Sequence, residues 1–238
     1  MNHDELSLER HLVLSGLGNR RECAKLIRDG KVTLNGKVVR DSKKIVPADS
    51  KVKMGSRELS PAPLKIYLLH KPPGYVCQTG EEAPPALELL PPDMGLSLVG
   101  RLDKESEGLI MATNDGDLAH RLTHPDHGIA KTYRVAVTPR LDTGTLARLC
   151  SGLPLDGTPT QPLKGRILSH KDSTSHIELE LREGKKRQIR RLCEAVGRKV
   201  LRLERLAIGP VKLGNLAPGS WREATTAERR ILEGDSGF

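Results

Sequence analysis

Apolar residues near the start of the chain follow two different periods. Leu8, Leu12 and, less regularly, Leu14 recur at helical spacing within Leu6–Leu17, and Gly16-Leu17-Gly18-Asn19 breaks that pattern. Asn19 stands where an N-cap belongs, so the spacing predicts a second helix over Arg20–Asp29, ended by Gly30. Cys23, Leu26 and Ile27 form its inner stripe, while Arg21, Lys25 and Arg28 share another face at i, i+4 and i+7. Val32-Thr33-Leu34, Asn35-Gly36 and Lys37-Val38-Val39 then read as a β-hairpin, because Asn and Gly tolerate the positive φ of a tight turn.

Gly55–Pro63 (GSRELSPAP) shows no periodicity and reads as a linker between domains at 1–58 and 63–238. Beyond it, Ile66–His70, Leu96–Val99, Leu109–Thr113, Lys131–Val137 and Ile177–Leu181 carry strand patterns. Ile177, Leu179 and Leu181 point one way and Glu178 and Glu180 the other. Asp117–Thr123 reads as a short helix capped by Asp117, and Lys186–Val196 as a helix ended by Gly197. In the latter, Ile189, Leu192, Cys193 and Val196 make the inner stripe. Strands outnumber helices, and many connections are too short for a regular βαβ repeat. The fold class is therefore α+β: a small helix-plus-hairpin module, then a domain built on a largely antiparallel sheet.

Charge adds a partner to this picture. The chain carries 39 Lys+Arg against 30 Asp+Glu, a formal net charge of +9. Such a surplus favours a polyanion, because each neutralised phosphate releases counterions. The three-cation face opens a helix whose N-terminus also attracts anions, which points to phosphate contact by Arg21, Lys25 and Arg28, with Arg20 beside them. Aromatic residues are only 2% of the chain, one Phe, one Trp and three Tyr, which argues against a module that reads RNA through rows of stacked rings. No stretch approaches the roughly 20 consecutive apolar residues of a membrane span, and Met1–Glu5 lacks the basic start of a signal peptide. Cys23, Cys77, Cys150 and Cys193 are far apart with no CxxC pair, as suits a reducing cytoplasm. His120, His124 and His127 lack a common helical face across Pro125, so no metal is expected there.

Val99–Leu109 joins two strands and places Asp103 between the cations Arg101 and Lys104, with Gly100 and Gly108 at its ends. A carboxylate in such a loop is ordinarily a turn residue. The wider sequence gives it another meaning. GRLDKESEGLIMATNDGDLAHRLTHP, KTYRV and EGKKRQIRRLCEAVG resemble the RsuA/RluB/RluF-type pseudouridine synthases, as do KPPGYV (Lys71–Val76) and IGPVKLGNLAPGSWREAT (Ile208–Thr225). The helix, Asn-Arg-Arg, helix and hairpin order over residues 6–54 resembles the alpha-L RNA-binding module of a small-subunit ribosomal protein. Asn19-Arg20-Arg21 stands where that family often has Ser-Arg-Arg.

The resemblance implies a bacterial, cytoplasmic, monomeric isomerase acting on structured RNA, foremost ribosomal RNA of the large subunit. Small-subunit or transfer RNA targets stay open, as does a non-catalytic role in ribosome assembly. It implies Asp103 as the catalytic carboxylate and Tyr133 as the ring packed on the target base and an acceptor for the C5 proton. Arg190 is implied as the partner that keeps Asp103 charged, and Arg101 as the side chain filling the stack vacated by the flipped uridine. Lys131, Lys186 and Arg187 complete the expected substrate contacts. Projected as a helix from Lys186, Arg190 borders the apolar stripe while Arg187 and Arg191 point toward solvent. Ser106 replaces a frequent Thr, and Lys185-Lys186 replaces Arg-Asn or Arg-Lys. The reaction needs no redox step or group donor, so no cofactor is expected. It needs an ionised carboxylate at the ribose, which either attacks C1′ or removes the 2′ proton.

Overall fold

The computed structural model describes residues 6–78, 80, 82–92 and 95–233. The extreme N-terminal segment weighed above as a signal peptide lies outside the described residues. So do the last residues of the expected second domain. Two compact units emerge, one running to Lys65 and the other made of Ile66–Pro92 and the residues from Ser97 onward.

In the first unit, β1 (Leu6–Ser7) pairs antiparallel with Ile45–Val46, and α1 (Leu8–Leu14) follows directly. The first helix is thus shorter than Leu6–Leu17, because Ser7 caps it by accepting the Arg10 N–H and Ser15 closes it. α2 (Arg20–Arg28) begins with a complete capping box in which Asn19 and Glu22 satisfy each other's backbone N–H groups. β2 (Val32–Leu34) and β3 (Lys37–Val38) form the expected hairpin, with Asn35 at φ 49° and Gly36 at φ 79°. After β4 (Ile45–Val46), β5 (Val52–Met54) joins β2, and β6 (Arg57–Leu59) joins β5. The stretch expected to be a linker therefore contains a strand. An end at residue 58 would cut β6 just before Leu59, which is buried with Leu8, Leu12, Cys23, Ile27, Val32 and Val52 in the unit's core. Three residues are too few for alternation to register in sequence.

The second unit is built on a nine-stranded sheet. Its elements are β7 (Ile66–Lys71), β8 (Ser97–Val99), β9 (Glu107–Thr113), α3 (Gly116–Thr123), β10 (Lys131–Thr138), α4 (Thr143–Cys150), the small hairpin of β11 (Pro154–Leu155) and β12 (Thr158–Pro159), β13 (Lys164–Lys171), β14 (Thr174–Leu181), α5 (Gln188–Ala195), β15 (Lys199–Ile208), β16 (Val211–Lys212), β17 (Trp221–Glu223) and α6 (Thr226–Glu233). The main path runs β13-β14-β10-β15-β9-β7-β17, with β16 on β15 and β8 on β9. Its pairings are antiparallel except β9 with β15, which is parallel. Asp115, rather than Asp117, caps α3, because its carboxylate reaches the N–H groups of Asp117 and Leu118.

Two cores lie along this sheet. Under β10, β14 and β15, Val135, Ile177, Leu179 and Leu203 pack against α4 and α5. Under β7 and β9, Leu68, Leu109 and Met111 pack against α3 and α6. β15 serves both, giving Leu203 to the first and Ile208 to the second. Among the described residues no helix is long and apolar enough to cross a membrane.

Candidate active site

The loop between β8 and β9 carries Asp103, and its backbone is fastened from below. Ser106 N–H donates to the Asp103 carbonyl at 3.0 Å and Gly74 N–H to the Lys104 carbonyl at 2.8 Å. Lys71, at the end of β7, is fully buried and donates Nζ to the carbonyls of Pro72 (3.0 Å) and Tyr75 (2.8 Å), reaching Lys104 O at 3.5 Å. Burial depresses the Lys71 pKa, and neighbouring Cys77, followed by Asp103, Glu105 and Glu107, works against that fall.

Behind the loop stands Arg205 of β15, also buried. It donates Nε to Leu109 O at 2.7 Å and Nη1 to Arg101 O at 3.4 Å. Gly108 makes this approach possible. At φ 106° it sits where a Cβ would lie 2.4 Å from the Arg205 carbonyl oxygen, so only glycine lets β15 run parallel against β9 here.

In front, a cleft of about 340 Å³ opens. Arg101, Asp103, Tyr133, Glu183, Lys186 and Arg187 line it. Arg187 is the residue before α5 and adopts a left-handed backbone, φ 52°, with no side-chain cap on the helix. That turn sends its guanidinium toward the loop, Nη1 lying 2.9 Å from Glu105 Oε2 and 4.0 Å from Asp103 Oδ2. The Arg187 hydrogen bond holds the Glu105 carboxyl below the usual carboxylate range. Arg190, in the first turn of α5, donates Nη2 to the Glu105 carbonyl at 3.4 Å. Gln188 is buried, hydrogen-bonded to Glu183 through its amide nitrogen and to the Lys185 N–H (3.0 Å) through its oxygen.

A carboxylate with a guanidinium at its shoulder, an aromatic wall and a cationic rim is suited to an anionic chain bearing a planar base. Residues 65–195 match the RNA pseudouridylate synthase family, and residues 11–52 match the S4 domain. The chain belongs to the RNA pseudouridylate synthase family. It is 36% identical over 229 residues to an uncharacterized RNA pseudouridine synthase of Aquifex aeolicus, covering 94% of this chain and 92% of that one. It is 32% identical over 232 residues to the ribosomal large subunit pseudouridine synthase B of Bacillus subtilis, covering 94% of each. A crystal structure of a pseudouridylate synthase superposes with a TM-score of 0.66 at 30% identity, covering 95% of this chain and 99% of that chain.

As a pseudouridylate synthase the protein is an isomerase that converts uridine to pseudouridine in RNA, and its S4 domain is an RNA-binding module. Of the residues singled out in its sequence, Asp103, Arg101, Tyr133, Lys186 and Arg187 meet in one cleft. Arg190 does not line it, and the guanidinium near Asp103 is that of Arg187. α5 starts at Gln188, so Arg187 precedes the helix; it is exposed, as the projection expects, yet its guanidinium reaches the loop, while Arg190 is half-buried. Lys131 also stays out of the cleft. It lies at the start of β10 and donates Nζ to Ile129 O at 3.2 Å, while burial and the neighbouring charge of Arg205 lower its pKa.

In the S4 domain, Arg20, Arg21, Lys25 and Arg28 are all exposed on α2, and Arg20 is engaged by Glu9 at 2.9 Å. Arg40 joins this surface unforeseen, donating to the Arg28 carbonyl at 2.6 Å and so placing a cation at the C-terminus of α2. Lys71, Glu105 and Arg205 were likewise missed as parts of the site. Lys71 stood in the quoted KPPGYV stretch, but only the carbonyls gathered around it reveal its purpose.

Proposed function

We propose that the protein isomerises a uridine of large-subunit ribosomal RNA in the cytoplasm, with Asp103 as the catalytic carboxylate. One observation carries this reading: the cleft joins the Asp103 carboxylate to Arg101, Tyr133 and Arg187. The relative named for large-subunit RNA supports the choice of substrate.

The net reaction breaks N1–C1′, forms C5–C1′, takes a proton from C5 and returns one to N1. A uridine held in stacked RNA must first leave the stack, at a cost of a few kcal/mol. Arg101, exposed at the cleft, is long and planar enough to take its place, and Tyr133 offers a wall for the ring. The Arg187 guanidinium, 4.0 Å from Asp103 Oδ2, is placed to orient that carboxylate as RNA displaces water. Asp103 then acts at the ribose, as nucleophile on C1′ or as base on the 2′ carbon. Tyr133 accepts the C5 proton after the base has turned. Arg190 works at one remove, as a positioning residue that holds the Glu105 backbone. Lys186 and the S4 cations hold phosphates.

Asp103→Asn keeps the shape of the side chain and removes its charge. It abolishes pseudouridine formation in an RNA isomerisation assay while leaving RNA affinity within a few-fold, and retained turnover overturns the assignment. Mapping pseudouridines in total RNA with and without the gene identifies the target. A lost site outside the large-subunit RNA refutes the substrate choice.

A further inference from the structure

The thiol of Cys77 sits against the peptide that leads into Asp103. Leu102 N–H donates to Cys77 Sγ at 3.3 Å, and the same Sγ donates back to Leu102 O at 3.3 Å. Both backbone groups of the residue before Asp103 are therefore held by one side chain, which takes the place of a neighbouring strand. Leu102 is buried, so its amide would lose its partner inside the protein if the thiol were removed. Lys71, the last residue of β7, belongs to one short stretch with Gly74 and Cys77, which follow it. Its beginning fastens Lys104 O and its end fastens Leu102, which brackets Asp103 on both sides. The other three cysteines make no such contact with this loop: Cys23 lies in the S4 core, and Cys150 and Cys193 pack beneath β10 and β14.

We propose that Cys77 is a positioning residue for the isomerisation, clamping the Leu102 peptide and so setting how the Asp103 carboxylate meets the ribose. The inference rests on Asp103 being the catalytic carboxylate. Sulfur is a weak hydrogen-bonding partner, so the contribution of Cys77 is one of placement more than of binding strength. Placement matters because an error near 1 Å at a reacting group costs up to about 100-fold in rate. Cys77 does not line the cleft, so the effect is expected to fall on turnover and spare affinity.

The test measures the single-turnover rate at saturating RNA, the RNA Kd and the melting midpoint for the full chain and its variants. Cys77→Ala is expected to slow turnover about tenfold or more with Kd within about twofold of the unchanged protein. Cys77→Ser keeps a donor and an acceptor and is expected to recover to within about threefold. Should Cys77→Ala fail to fold, Cys77→Val fills the space without hydrogen bonding and is expected to be as slow. A rate within twofold of the unchanged protein in the Ala or Val variant overturns the proposal. So do equal rates for the Ser variant and the others, or a loss that follows affinity or melting midpoint. Asp103→Asn runs alongside: if it retains turnover, the reading of Asp103 fails, whereas an inactive Asp103→Asn beside a fully active Cys77→Val condemns the clamp alone.

Discussion

α2 and α5 are amphipathic helices of nine and eight residues, and both carry arginines to a working surface. They begin in opposite ways. α2 opens with an N-cap whose side chain and backbone are both satisfied, and its cations lie on an exposed face. α5 opens with Arg187 in a left-handed conformation and no side-chain cap, and this guanidinium turns to a carboxylate pair. A left-handed arginine costs about 1–2 kcal/mol, so the surrounding chain must hold it there. In the proposed reading, the helix that recruits RNA follows local rules, and the helix that serves the chemistry breaks one where its arginine is needed.

The comparison can be broken in three places. The largest effect belongs to Arg187→Gly, which relieves the backbone and removes the guanidinium. Turnover is expected to fall about 10- to 100-fold, while stability stays within about 1 kcal/mol because the relief offsets the added chain entropy. A melting midpoint that drops with activity would make Arg187 a structural residue. Next comes replacement of Arg21, Lys25 and Arg28 by Gln. RNA affinity should weaken, and the slope of log K against log salt should flatten by about one unit per lost phosphate contact, with turnover at saturating RNA unchanged. An unaltered slope would remove α2 from the RNA interface.

The smallest effect sharpens the contrast through a third helix start. α6 is preceded by Thr225, which exchanges hydrogen bonds with Glu228, and Arg222 grips Glu228 with two bonds of 2.7 Å. That grip lowers the Glu228 pKa from its ordinary 4.5 to about 2. The folded value lies below the unfolded one, so the stabilisation is complete above 4.5 and disappears as pH falls toward about 2. Glu228→Gln should therefore cost about 1–2 kcal/mol at neutral pH, discounted for partial exposure, and almost nothing near pH 2. Equal losses at both pH values in urea unfolding would contradict this.

What could be read in sequence follows the same line. The α2 cap, the Asn35-Gly36 hairpin and the alternation of β14 are local patterns, and each stands where the residues place it. β13, α4, β15 and α6 were not read. β13 is an exposed edge with no buried alternation, and β15 mixes Arg202, Glu204 and Arg205 into a strand whose charges meet partners on β9 and β10. The position of Asp103 in a functional loop came from its motif, whereas its guanidinium neighbour depended on one residue's φ angle. No periodic projection from Lys186 could have supplied that angle.

The flush seam of Gly108 against Arg205 also bears on the order of assembly. The support behind the Asp103 loop comes from a residue 96 positions beyond the carbonyl it grips in β9. During synthesis from the N-terminus, the S4 domain and its cations are complete long before that brace exists. In the proposed reading, the part that recruits RNA is thus made well before the part that rearranges a nucleoside.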